Sequence, residues 1–416
     1  MPDEPMPTPP GGRTPIATGR ALAILALGVV AFVALLVAIP EDPLRAARTR
    51  VQGVTAAGTR AASASASAPA TTAGAPATTA QPSAPAIART LVKKRTIDGR
   101  ISPKSVVASG TGFVTAQNMM YNHSVTVYDS EGQLVTTVPD AVRLSDFGID
   151  KPGTYKGAPV EAAFTRDGSH MYVSNYAMYG PGFSEGSDDC VPGSKVPASF
   201  LYRIDTKSWA IDQVIGVGST PKFVAISPDD KTVLATNWCS YDLSVVDAAT
   251  AKEIKRIPMG AYPRGIVFSP DGATAHVAVM GGNQIAKVDM NTFAVTRIGG
   301  VGSAPRHLVR SPDGRYLYVT NNGDGTVVKI DTSTDAIVKR VKVGSKPRSM
   351  AISSDGTALY NVNYDSSTVS KLDANDLREV QELPTGQHPI GITYDAKTGR
   401  IWVANYSGTI EVYDER

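Results

Sequence analysis

An all-β ring of seven blades, a β-propeller closed by a strand from the N-terminal side, is the fold this sequence predicts, and three observations predict it. The first is a constant period: Ser227, Ser269, Ser311, Ser353 and Asp395 open equivalent segments 42 residues apart. A repeat of about 40–45 residues with four short strands is the size of one propeller blade. The second is the alternation of apolar and polar residues inside each unit, bounded by Gly, Pro, Asn and Asp, which suits short antiparallel strands in fixed register. The third is the way the chain ends. Arg416 follows only three strands of the last unit, and the run from Val92 to Gly99 resembles the outer-strand run from Val338 to Gly344. A strand donated by that run completes the last blade and leaves the ring no free edge.

In the best-kept unit the strands fall at 315–320, 326–331, 336–343 and 348–352, with turns at Asp313-Gly314 and from Asn321 to Gly325, where Gly and Asn tolerate positive φ. A weaker first blade uses 113–115, 124–129 and 133–138, followed by a longer connection from Asp140 to Gly157. The copy beginning at Thr165 lies 62 residues before Ser227 instead of 42, so its blade carries an insertion, placed at 177–198. Seven aspartates, Asp129, Asp205, Asp247, Asp289, Asp331, Asp373 and Asp414, close the third strands, where a short carboxylate accepts turn N–H groups. No helix is needed in the repeat.

Upstream of the ring the organisation changes. Residues 1–20 are a short tail, and 21–39 form an apolar run of nineteen residues with no charge and no Pro. At ~1.5 Å per residue it roughly spans a ~30 Å hydrocarbon core, so one transmembrane signal-anchor helix is expected. Cleavage and secretion is the alternative; against it, the run exceeds a signal-peptide core of ~7–15 residues and no Ala-x-Ala site directly follows Pro40. Charge does not orient the segment, because Arg13 and Arg20 precede it while Arg45, Arg48 and Arg50 follow. Residues 40–89 are the stalk. From 54 to 88 the chain is almost entirely Ala, Thr, Ser, Pro and Gly, too poor in large apolar groups to bury a core, and its composition suits O-glycosylation outside the cell. The propeller occupies 90–416.

The segment Tyr318-Val319-Thr320-Asn321, with Tyr172-Val173-Ser174-Asn175 and Trp402-Val403-Ala404-Asn405 as variants, resembles the YVTN β-propeller repeat family of microbial surface-layer and exported proteins. The resemblance covers roughly residues 90–416 and implies a propeller on the extracytoplasmic side of a bacterial envelope. It implies no particular chemistry, since propellers host lactonases, lyases, redox enzymes and inert scaffolds alike.

Two cysteines are present. Cys190 lies in the insertion, which leaves its blade between the second and third strands, and Cys239 lies in the same loop one blade on. That places both on one face of neighbouring blades, where a disulfide staples the insertion in an oxidising compartment. No Cys-x-x-Cys pair exists, so neither a haem attachment nor a zinc ribbon is expected, and no cofactor is assigned.

The net charge of +3 over 416 residues implies no partner by itself and gives no reason to expect nucleic acid. Position matters more. Aligned on the period, Lys104, Lys222, Arg264, Arg306 and Arg348 begin the innermost strands of five blades, with Val160 and Ile390 at the other two positions. Such cations converge at one level of the central channel and raise one another's cost unless an anion is present, so they read as a funnel for an anionic group. The competing use is structural, each cation pairing with a nearby carboxylate or carbonyl. On the same face the residues after the second-strand asparagines include Tyr176, Trp238, Tyr364 and Tyr406, which suit stacking on sugars or aromatic acids. The asparagines themselves are expected to cap turns.

Catalytic motifs are thin. His123, His170, His276, His307 and His388 fall on different blades without metal-ligand spacing, although His307 and His388 lie near the basic ring. The acidic run Glu185-Gly186-Ser187-Asp188-Asp189 lacks EF-hand spacing and reads as a solvated loop. No metal site and no catalytic residue is assigned. The expected function is a membrane-anchored, extracytoplasmic binding or scaffold module for an anionic small molecule, a glycan or an envelope protein. The alternatives are a lactone hydrolase or lyase on the same face, and a purely structural surface or adhesion protein.

Overall fold

The computed structural model describes residues 84–184 and 186–416; the tail, the apolar run 21–39 and the stalk as far as residue 83 lie outside the described residues. Among the described residues no helix is long and apolar enough to cross a membrane.

Seven four-stranded antiparallel sheets make the blades: blade 1 (103–139), blade 2 (159–219), blade 3 (221–258), blade 4 (263–298), blade 5 (305–342), blade 6 (347–384) and blade 7 (389–415), whose outer strand is Leu91–Ile97. That closing strand runs antiparallel to Thr409–Glu415, with Leu91 opposite Glu415 and Ile97 opposite Ile410. Thr90 and Arg416 exchange backbone hydrogen bonds of 2.6 and 2.9 Å where it begins. The best-kept blade has strands Tyr316–Asn321, Thr326–Asp331 and Ile337–Lys342 after its inner strand Pro305–Arg310, within a residue or two of the sequence expectation. The connection from blade 1 to blade 2 adds a two-stranded sheet, Val142–Arg143 with Thr154–Tyr155.

The repeat's residues have consistent structural work. The aspartates that close third strands accept turn N–H groups, as Asp331 does from Ser333 at 2.9 Å and Asp373 from Asn375 at 2.8 Å; Asp414 departs, pairing with Arg400 at 2.9 Å. In Ser311-Pro312-Asp313-Gly314 the Ser hydroxyl donates to Asp313 and accepts the Tyr316 N–H. The second-strand asparagines are buried and bond the turn and third strand, so their capping role is as expected: Asn363 donates to Thr368 Oγ1 at 3.0 Å and Ser370 Oγ at 2.9 Å. In blades 2, 3, 5, 6 and 7 this asparagine packs on a glycine of the preceding connection. A Cβ at Gly344 would lie 2.6 Å from Asn363 Cγ, and Gly218, Gly302 and Gly386 meet Asn237, Asn321 and Asn405 at the same 2.6 Å.

All seven inner strands begin with Pro, namely Pro103, Pro159, Pro221, Pro263, Pro305, Pro347 and Pro389. In every blade the pairing register slips immediately after that Pro, so the next residue is a β-bulge. A bulge re-aims a side chain out of the alternating pattern. The bulged positions hold Lys104, Val160, Lys222, Arg264, Arg306, Arg348 and Ile390.

Candidate anion site in the central channel

The bulge therefore turns one residue per blade into the channel. All seven line a small cavity of about 40 Å³, and Lys222, Arg264, Arg306 and Arg348 are buried there. In five blades the residue before the Pro is held at positive φ, between 49° and 60°: Thr220, Tyr262, Ala304, Lys346 and His388. None is glycine, and such strain persists only where the surroundings over-determine it.

The predicted aromatics sit beside these cations. Lys222 Nζ lies 4.5 Å from the Tyr176 ring centroid and 5.3 Å from that of Trp238, while Arg264 lies 5.2 Å from the same Trp238 ring. Arg348 stacks at 3.7 Å on Tyr364, and Lys104 lies 5.5 Å from Tyr406. The structure thus brings the cationic and aromatic rings together, but in a different relation from the one expected. Tyr176, Trp238 and Tyr364 are buried and turn toward the ring's own cations, supporting them by cation–π attraction and presenting no open stacking platform.

One residue further along the inner strands, the next tier reads Ser105, Glu161, Phe223, Gly265, His307, Ser349 and Gly391. A Cβ on Gly265 or Gly391 would lie 2.9 Å from the neighbouring inner strand's backbone, so glycine sets how closely these strands approach. Glu161, Phe223, His307 and Ser349 line both the upper cavity and a second one of about 290 Å³ below, which is walled largely by apolar residues including Val106, Met350 and Ile392. Glu161 is the residue that sequence reasoning missed. Its signal was present: in this tier, set by the same period, it is the one carboxylate among small, aromatic and imidazole side chains.

Burial pushes the Glu161 carboxyl up to about 7; the Ala162 N–H, the Ser105 hydroxyl and the charges of Arg264 and Arg306 oppose the rise without cancelling it. His307 moves the other way, to about 3, because burial and the same two arginines disfavour a further positive charge. Its Nδ1 accepts the Met350 N–H at 2.8 Å, which assigns the proton of the neutral ring to Nε2. His388 stacks on Tyr364 at 4.5 Å. His276 is buried in the blades with Nδ1 2.8 Å from an Arg310 nitrogen, a structural contact away from the channel.

The insertion folds onto the same face. Cys190 and Cys239 form the expected disulfide, with Cα atoms 5.4 Å apart. Tyr241 and Tyr262 both donate to the Cys190 carbonyl, at 2.7 and 3.0 Å, and Trp238 Nε1 donates to the Asp188 carbonyl at 3.1 Å. Asp188 does not belong to a solvated acidic loop. Its carboxylate forms an ion pair with Lys222.

Residues 271–404 match the family model described as the Cytochrome D1 heme domain, about a third of the chain. No curated protein matches. Among solved structures, a chain of Kuenenia stuttgartiensis hydrazine synthase is similar with a TM-score of 0.61 and 20% identity, over 76% of this chain and 96% of that one. At that identity the likeness establishes the seven-bladed fold and nothing finer. A haem does not fit the channel site. The mouth cavity of about 40 Å³ holds a few waters or an inorganic-sized anion, whereas drug-sized ligands occupy roughly 300–1,000 Å³.

Proposed function

We propose that this protein binds a small anion at the mouth of the propeller channel and acts on it by proton transfer, as a hydrolase or lyase does. The observation that carries the reading is the Glu161 carboxyl, held by burial at about 7 on the tier directly beneath four buried cations. A group titrating near neutrality takes a proton as carboxylate and returns it as acid with little free-energy cost in either direction. The cations hold the anionic group and stabilise negative charge that develops beside it, in a setting where water is scarce. His307, neutral with its proton on Nε2, supplies a hydrogen-bond donor from blade 5, three blades round the ring from Glu161 on blade 2. This role moves the sequence expectation from a binding module toward its enzymatic alternative. Binding without turnover is the second reading, favoured by the small mouth cavity.

The same proposal places the propeller outside the cytoplasm, carried by the apolar run at 21–39 or released by cleavage after it. Support comes from the disulfide, which belongs to oxidising compartments, and from the YVTN-like repeats of exported propellers.

Turnover and binding separate in one experiment. Wild type, Glu161→Gln and the triple variant Arg264→Gln, Arg306→Gln, Arg348→Gln are compared against small carboxylates, lactones and phosphate esters by thermal shift and product formation. The triple variant is expected to lose ligand stabilisation. Glu161→Gln is expected to keep it while turnover falls by roughly 10²–10⁴. Undiminished turnover in Glu161→Gln rejects the assigned chemistry, and undiminished binding in the triple variant rejects the site.

A further inference from the structure

We infer that Asp188 is a built-in occupant of the anion site, a chain carboxylate that an external carboxylate or similar oxyanion must displace; the inference rests on the channel mouth being the ligand site. The segment around it is tied to blade 3 at two points. Two residues downstream the Cys190–Cys239 disulfide ties the insertion to blade 3, and the Asp188 carbonyl accepts the indole N–H of Trp238 at 3.1 Å. Between these ties the carboxylate pairs with Lys222, the ring cation already flanked by the Tyr176 and Trp238 faces.

The accessibilities of the pair differ in a way that matters. The Lys222 side chain is 0% exposed, whereas that of Asp188 is 23% exposed. The ammonium is therefore sealed from solvent while its counter-ion is reachable, the arrangement in which one carboxylate can be exchanged for another without opening the blades. Burial first, and then the Asp188 charge, raise the Tyr176 hydroxyl on blade 2; at Tyr406 on blade 7 burial again leads and the Asp188 charge adds least.

Two consequences follow. The ring already holds a carboxylate, so the external ligand's binding group is of that class. The internal carboxylate also raises the concentration of ligand needed to load the site, since part of the cationic charge is spent on Asp188.

Titration calorimetry with oxalate and with inorganic phosphate tests this on wild type, Asp188→Asn, Arg306→Gln and the pair Cys190→Ser, Cys239→Ser. Asp188→Asn is expected to bind at least one probe about ten-fold tighter than wild type, and Arg306→Gln to bind it more weakly. The cysteine pair keeps the Asp188 charge and frees the segment, so it also gains affinity, and it decides the matter if Asp188→Asn fails to fold. Equal or weaker binding in Asp188→Asn and in the cysteine pair, with Arg306→Gln still impaired, overturns the inference and leaves the anion site standing. No binding of either probe to any of the four proteins overturns both.

Discussion

Replacing Gly344 by Ala tests whether the glycine–asparagine contact holds each blade's turn in place. The backbone at Gly344 is not in the left-handed region, so any cost comes from the added methyl group alone. That Cβ would lie 2.6 Å from Asn363 Cγ and 2.7 Å from Nδ2, about 1 Å inside ordinary contact. Asn363 is fully buried and its amide is held by Thr368 and Ser370, so it cannot swing aside without breaking both hydrogen bonds. Overpacking costs about 1–3 kcal/mol and each of the two lost hydrogen bonds about 1 kcal/mol, which puts the substitution at roughly 3–5 kcal/mol. At ~2.1 cal/mol/K per residue over about 330 residues, that lowers Tm by about 4–7 °C. Gly299→Ala is the control: nothing lies within 4 Å of its Cβ, and reduced freedom of the unfolded chain makes it neutral or stabilising by up to about 1 kcal/mol. The assay is differential scanning calorimetry of the residue 84–416 head in both variants. A Gly344→Ala melting point equal to that of Gly299→Ala would refute the contact's role.

Two further outcomes are expected. Asp140 is buried, accepts the Gly157 N–H at 2.7 Å and lies within reach of the Tyr202 hydroxyl, and the nearby buried Asn175 Oδ1 has no hydrogen-bond partner among the described residues. Burial raises its carboxyl from 3.8 to about 7. The folded state thus binds the proton more tightly than the unfolded chain, so this group's contribution is greatest below about pH 4 and declines as pH rises to about 7. Asp140→Asn carries a donor at every pH; it should be the more stable protein at pH 8 by an order of 2–4 kcal/mol, the gap closing toward pH 4 in urea titrations. Lys371, with a 0% exposed side chain, bonds Glu415 at 2.9 Å and the carbonyls of Ala86 and Arg89, clamping the N-terminal side of the closing strand. Lys371→Met should cost about 3 kcal/mol by leaving Glu415 buried with fewer partners. Amide exchange across 91–97 should speed up before that of the inner strands, and uniform protection would count against the clamp.

The sequence by itself determined the ring. A 42-residue period, turn residues at fixed offsets and an outer-strand-like run from Val92 to Gly99 are one-dimensional facts, and closure by that run suits them because unpaired edges are costly. It also determined which residues meet, since equivalent positions in a closed repeat share a level: Lys104, Lys222, Arg264, Arg306 and Arg348 do line one cavity. The disulfide was legible for the same reason, both cysteines lying in the same loop of neighbouring blades. Only the tertiary structure decided what those groups face. The aromatics became supports for the cations because the bulge after each Pro turns the cation onto a ring face. Asp188 became a counter-ion because the stapled insertion brings its carboxylate to Lys222, a path with no period to predict it. Glu161 gained its shifted titration from desolvation at the channel's waist. Repetition can be read along a chain, but burial depends on everything that surrounds a group, and the folded ring alone supplies it.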